Sequence, residues 1–170
     1  METLEAIRTR RSIRSYTSEP LKDADLQKII EAAVSAPSGG NSQSWLFFSV
    51  CEPKRIAGMR AICPGIIGIP SGIIILCLDF RGQKKEVLPI IKYLDIGAAM
   101  QNILLAAHDL GLGSCAIGSF HVEGVKEFLN IPEHVEPILL TVLGKPKSLP
   151  SAPKKKPLQE IYFQESYKEK

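Results

Sequence analysis

No two of the four cysteines, Cys51, Cys63, Cys77 and Cys115, stand in CxxC spacing, so a zinc or iron–sulfur site lacks its usual ligand pattern. Three of them lie in apolar runs, where cysteine behaves as a small buried hydrophobe; the expectation is reduced core thiols in a cytoplasmic protein. The three histidines, His108, His121 and His134, are scattered without ligand spacing, and no metal site is expected. There is no G-x-S-x-G elbow and no pair of carboxylates in an apolar setting, so neither a protein nucleophile nor an acid–base couple stands out. The segment from Glu2 to Arg14 is charged and has no apolar core of the kind a signal peptide needs. The longest uncharged stretch, Ala61 to Leu78, contains Pro64, Gly65, Gly68, Pro70, Ser71 and Gly72. It reads as a loop followed by a short buried strand and not as a membrane span. A chain this poor in reactive side chains has the profile of one whose cofactor carries the chemistry.

What is present fits one globular domain. The chain has 170 residues, 45% hydrophobic and 23% charged, which excludes a disordered or fibrous chain. No internal repeat or domain boundary is visible. A net charge of +3 is too small a basic excess for a duplex-binding domain, so neither nucleic acid nor membrane is an expected partner. The distribution of charge is more informative. Residues 1–16 hold four Arg and two Glu, and residues 145–170 hold seven Lys and three Glu. Residues 17–144 hold ten basic and thirteen acidic side chains. The basic excess is therefore confined to the two ends. A small-anion site where the ends converge accounts for this, and so do two solvated tails.

Hydrophobic periodicity predicts a short helix over Leu4–Thr9 and an amphipathic helix over Lys22–Ser35, with Leu26, Ile29, Ile30, Ala33 and Val34 on one face. The second helix ends before Pro37. A strand is expected over Trp45–Cys51, a helix over Pro53–Ala61 and a fully apolar, central strand over Gly72–Asp79. The longest helix, Leu88–Leu110, is apolar on most sides and must be buried on most sides; packing on a second subunit achieves that. Strands at Ser114–Ile117 and Ile138–Leu143 flank a small helix at Val122–Leu129. After Gly144, Pro146, Pro150, Pro153 and Pro157 indicate an extended arm. Leu158, Ile161, Tyr162 and Phe163 on that arm imply that it docks on something.

Three motifs could bind a ligand. Arg10, Arg11, Ser12 and Arg14 place three guanidinium forks and a hydroxyl within five residues, a match for phosphate oxygens or else a solvated basic turn. Pro37-Ser38-Gly39-Gly40-Asn41-Ser42-Gln43 supplies glycines for close approach and polar groups of both kinds, or is a plain connector. It follows a helix and is not G-x-G-x-x-G, which argues against a Rossmann dinucleotide site. Gly118, after a strand, could free backbone N–H groups for a ligand edge or simply make a turn. Lys154, Lys155 and Lys156 form a charge run.

Taken in order, Arg10–Tyr16, Ala36–Trp45, Asp95–Asn102, Leu110–Gly113, Ile117-Gly118, Leu143-Gly144 and Lys155–Glu160 resemble the FMN-dependent nitroreductase family, over nearly the whole chain. The resemblance implies an α+β fold with a mixed, mainly antiparallel sheet flanked by helices. It implies an intertwined homodimer with residues 145–170 as an exchanged C-terminal arm on a single domain, 1–170. It implies FMN as cofactor, NADH or NADPH as donor, and a small-molecule acceptor such as a nitroaromatic or a quinone, reduced by a ping-pong mechanism. Related folds perform other flavin reactions, dehalogenation among them, and a non-enzymatic FMN-binding protein is the further alternative. Residue by residue, Arg10, Arg11, Ser12 and Arg14 would hold the phosphate and ribityl chain. Lys155 would complete the phosphate site, with Lys156 or Lys154 in reserve. The loop of Pro37, Ser38, Gly39 and Asn41, with Gln43 beside it, would reach the flavin of the other subunit, and Ile117 and Gly118 would offer N–H groups near the ring. No protein side chain would be catalytic. Three departures stand out: Ser44 replaces the usual proline, which predicts a looser loop; Lys155 stands where the family often has arginine; and the short stretch between Leu78 and Leu88 lacks room for the helical excursion that covers the flavin in larger members, which predicts an open pocket or one built from other segments.

Overall fold

In the computed structural model, which describes residues 1–81 and 90–167, the chain runs α1 (Thr3–Thr9), α2 (Asp23–Val34), a 3-10 turn (Gly39–Asn41), β1 (Trp45–Val50), α3 (Pro53–Ile62) and β2 (Gly72–Asp79). It continues through α4 (Ile90–Asp109), β3 (Gly113–Ile117), α5 (Val122–Leu129), β4 (Val135–Gly144) and α6 (Leu158–Ile161). The four strands form one antiparallel sheet in the order β1-β2-β4-β3. Among the described residues, the single parallel pairing is an isolated bridge between Ser12 and Ser114.

The all-apolar β2 requires cover on both faces, and it receives it. Ile73, Ile75 and Cys77 point to one side, where they meet Ile56 and Met59 of α3 and Val125 of α5. Ile74, Leu76 and Leu78 alternate to the other side against Ile29 and Ala33 of α2 and Ile96, Ala99, Ile103 and Ala107 of α4. The result is three layers with the sheet in the middle and α2 and α4 on one face. All four cysteines are free thiols; Cys63, Cys77 and Cys115 are buried and Cys51 is half-buried.

The expected helices and strands are observed in kind; the 3-10 turn at Gly39–Asn41 and the single turn α6, in an arm expected to be extended, are additions. β4 begins at Val135, three residues earlier than the apolar pattern predicts, because Pro137 sits inside it. The register slips between Leu76 and Cys77, which face Leu139 and Pro137, so Ile138 bulges out. β3 reaches only Leu140–Gly144, so Pro137 has no strand on its other side that calls for its missing N–H. The start of the long helix expected at residues 88–89, and residues 82–87 of the short connection after Leu78, lie outside the described residues. α4 has the length and apolarity of a membrane span, but seven of its residues are sealed within the fold. Its outer side leaves Ile90, Ile91, Tyr93 and Leu94 exposed.

Candidate functional site

The arginine segment is tied to the sheet by its backbone. The Ile13 N–H donates to the Ser114 carbonyl at 2.9 Å, next to the Ser12–Ser114 bridge. Further on, the Thr17 N–H donates to the Lys145 carbonyl at 2.9 Å and the Lys147 N–H to the Ser15 carbonyl at 3.0 Å. Residues 12–17 are thus laced between the start of β3 and the chain that leaves β4. The Tyr16 hydroxyl donates to the Ile13 carbonyl, and its ring covers Gly144, where a Cβ would stand 2.9 Å from Cδ1. Burial pushes the Tyr16 phenol well above its ordinary range, the Arg14 charge acting in the opposite direction.

This lacing draws the two ends of the chain together. Arg10, Arg11, Ser12 and Arg14 line a cavity of about 400 Å³ with Arg8, and Lys155 closes it from the arm beside Pro150, Ser151 and Pro153. Among the described residues, five cationic side chains border this space and no carboxylate does. Nη1 of Arg10 is buried with no hydrogen-bond partner among the described residues. A buried donor without a partner costs free energy that a bound anion recovers. Arg11 is partly committed elsewhere: its Nη1 donates to the Arg8 and Arg10 carbonyls at 2.8 and 2.9 Å, closing the end of α1. A second cavity of about 480 Å³ shares Arg10 and Arg11 and continues past them to His108, Leu112 and Ser114. The donor set and the orphaned nitrogen fit a phosphate dianion. Lys156 does not line this cavity.

The other expected residues lie elsewhere in the single chain. Ile117 is buried at the end of β3, while Gly118 is exposed, with nothing within 4 Å of where a Cβ would stand. A segment that the sequence reading treated as a plain loop joins this turn to the arginines. Gly65 donates its N–H to the Ser119 carbonyl at 3.0 Å and lies against Ile117, where a Cβ would come within 2.6 Å of Cγ2. Gly68, at φ +77°, packs against the Arg14 carbonyl. The glycines among Pro64–Pro70 were the available signal; they permit approaches that a side chain would block.

The Pro37–Gln43 loop does not line the arginine cavity. It sits on the first turns of α4, beside the exposed Ile90, Ile91 and Leu94. Gly40, Asn41 and Gln43 take left-handed φ values. Ser38 Oγ accepts from the Gln43 N–H at 3.1 Å, and Gln43 Nε2 donates to Asn41 Oδ1 at 3.1 Å. Ser44, expected to loosen the loop, accepts a hydrogen bond from Lys92 Nζ at 2.8 Å.

The profile of the nitroreductase family matches residues 7–63 and 57–145. The chain belongs to the nitroreductase family. The chain is 36% identical over 156 residues to a Methanothermobacter thermautotrophicus protein named as a candidate NADH dehydrogenase/NAD(P)H nitroreductase, covering 88% of this chain and 80% of that one. It is 29% identical to the FMN reductase [NAD(P)H] of Bacillus subtilis, over 98% of this chain and 74% of the relative. Among solved structures, the B. subtilis nitroreductase NfrA1 superposes with a TM-score of 0.87 at 25% identity, covering 98% of this chain and 75% of that one.

Proposed function

We propose that this protein is an FMN-dependent oxidoreductase that uses NADH or NADPH to reduce small electrophilic acceptors such as nitroaromatics or quinones. The observation that carries this reading is the cationic cavity between the chain ends, bordered by no carboxylate among the described residues and lined by Arg10, whose Nη1 is buried without a partner among them. Relatives named as NAD(P)H-dependent FMN reductase and NADPH nitroreductase support it. When bound, FMN supplies a ring that takes a hydride from the nicotinamide and passes it to the acceptor.

The residues do the holding. Arg10, Arg14 and Lys155 neutralise the phosphate, with Arg11 and Ser12 adding donors. Ile117 and Gly118 offer backbone N–H groups to the ring, where negative charge gathers on reduction. The Pro37–Asn41 loop, seated beside an exposed apolar stretch of α4, serves the cofactor bound to a second copy of the chain. The protein is a homodimer: Leu4 and Ile7 of α1, Ile90, Ile91 and Leu94 of α4, and Leu158, Ile161 and Tyr162 of the arm are all exposed in one chain. Donor and acceptor take turns at one site, so the kinetics are ping-pong.

The test is the absorbance of protein loaded with FMN, recorded before and after anaerobic NADH or NADPH. Bleaching, followed by recovery on adding nitrofurazone or a quinone, is the expected result. A bound flavin that neither donor bleaches indicates a storage protein and overturns the enzymatic reading. Failure to bind FMN overturns the reading entirely.

A further inference from the structure

Two charged side chains one turn apart on α4 grip the two ends of the loop between Gly39 and Ser44. Asp95 is 5% exposed, and its Oδ1 accepts the Gly39 N–H at 3.0 Å. Lys92 is half-buried, and its ammonium donates to Ser44 Oγ at 2.8 Å. Ile91, on the same turn, fills the space beside Gly39; a Cβ there would come within 2.6 Å of its Cγ1. Between these anchors the backbone holds left-handed conformations at Gly40, Asn41 and Gln43; glycine and asparagine enter that region readily, whereas a glutamine there is uncommon and needs its surroundings to hold it. Immediately after Ser44 comes Trp45, the only tryptophan of the chain, buried on the α2–α4 side of the sheet.

We propose that Lys92 and Asp95 are positioning residues that fasten the Gly39–Ser44 loop to α4, so that its polar groups are presented in one conformation to the cofactor. The inference rests on the flavin reading for the loop's purpose, but not for the clamp itself. Chemistry favours it over ordinary surface bonding. Both contacts are charge-assisted, one carboxylate to a backbone N–H and one ammonium to a hydroxyl, and such bonds are the stronger class. A helix is also a rigid mount for a loop that must hold a fixed shape. Ser44 provides the hydroxyl at the position where a proline would have stiffened the chain by fixing φ. In this chain a hydrogen bond does the stiffening.

The clamp can be tested without turnover. Amide hydrogen exchange of residues 39–44 and the emission of Trp45 are measured in the cofactor-free protein for Lys92→Met, Ser44→Ala, the double variant, Lys92→Arg and Asp95→Ala. FMN affinity is measured for each in parallel. The clamp predicts loop exchange about tenfold faster in Lys92→Met and in Ser44→Ala, with no further gain in the double variant. It predicts restoration by Lys92→Arg and a separate rise at the Gly39 amide in Asp95→Ala. FMN affinity falls in step with loop exchange, while exchange in β2 stays unchanged. Wild-type exchange rates in Lys92→Met overturn the clamp whatever the flavin does. Faster exchange with unchanged FMN affinity overturns the positioning role. A wild-type protein that does not take up FMN overturns the flavin reading instead, and the exchange data still judge the clamp.

Discussion

Ile13 occupies the space that a side chain at Gly113 would need: a Cβ on Gly113 would stand 2.7 Å from both Cβ and Cγ2 of Ile13. The contact sits in the middle of the arginine segment. Ile13 is the buried peg between the exposed Arg14 and the half-buried Arg10, Arg11 and Ser12, and its N–H bonds to Ser114, the next residue of β3. Packing at Gly113 therefore sets where the guanidinium groups stand. Gly113→Ala is expected to destabilise the fold by about 1–3 kcal/mol through overpacking, read by urea unfolding. It should weaken FMN binding as well, because relief of the clash must move Ile13. A variant that loses stability but keeps full FMN affinity would show that the arginines are placed by something else.

Arg10 separates function from stability. Its buried, unpartnered Nη1 is a cost in the empty fold and an asset once an anion is present. Arg10→Ala should leave the stability of the cofactor-free protein within about 1 kcal/mol of wild type or raise it, while lowering FMN affinity about ten- to a hundredfold. Riboflavin, which has no phosphate, should bind wild type and variant alike. Isothermal titration with both ligands checks this; equal losses for FMN and riboflavin would remove the phosphate from Arg10.

The buried thiols set an alkaline limit. Burial pushes Cys63 up to about 11 and Cys77 up to about 12, Glu136 adding to the rise at Cys77 and Lys126 opposing it. In the unfolded chain both ionise near 9. Above that pH the unfolded state has released protons that the folded state keeps, so stability falls as pH rises. Both thiols contribute between about pH 9 and 11, and Cys77 alone up to about 12; below pH 9 neither does. The slope per thiol is at most about 1.4 kcal/mol for each pH unit. Urea unfolding of wild type and Cys77→Ala across pH 8 to 11 checks it: the variant should lose stability with pH less steeply, and parallel curves would refute the assignment.

Local chemistry was legible in the sequence, and long-range approach was not. The unbroken apolar run from Ile73 to Leu78 could only be a strand covered on both faces, and β2 is that strand. The basic residues at both termini implied one shared anion or two solvated tails; Arg10 and Lys155 on one cavity favour the first. Pro137 hid the start of β4 because a proline ordinarily ends a strand, and only the bulge opposite Cys77 shows why it is tolerated. The packing of Gly68 on the Arg14 carbonyl and the grip of Lys92 on Ser44 depend on segments far apart in the chain. Neither leaves a periodicity or spacing to read. Ser44 shows the consequence: compared with proline it suggests a loose loop, until Lys92 on α4, with three elements between, is known.

The arm tests whether the second copy completes the molecule. From Leu149 to Tyr167 every described residue is exposed, Leu158, Ile161 and Tyr162 by 58–66%, so these apolar groups contribute little to the fold of one chain. Removing residues 149–170 keeps the Lys147–Ser15 bond and the Tyr16–Pro146 bridge but removes Lys155. The truncated protein should unfold at nearly the wild-type urea concentration when both are compared as dilute monomers. Its dimer should dissociate at concentrations where the full chain stays paired, as read by sedimentation velocity over a dilution series. FMN affinity should fall by more than Lys155→Ala alone produces, since the truncation also takes Pro150, Ser151 and Pro153 from the cavity wall. An unchanged dimer after truncation would assign the interface to α1 and α4 alone and leave the arm's apolar cluster without a role in pairing.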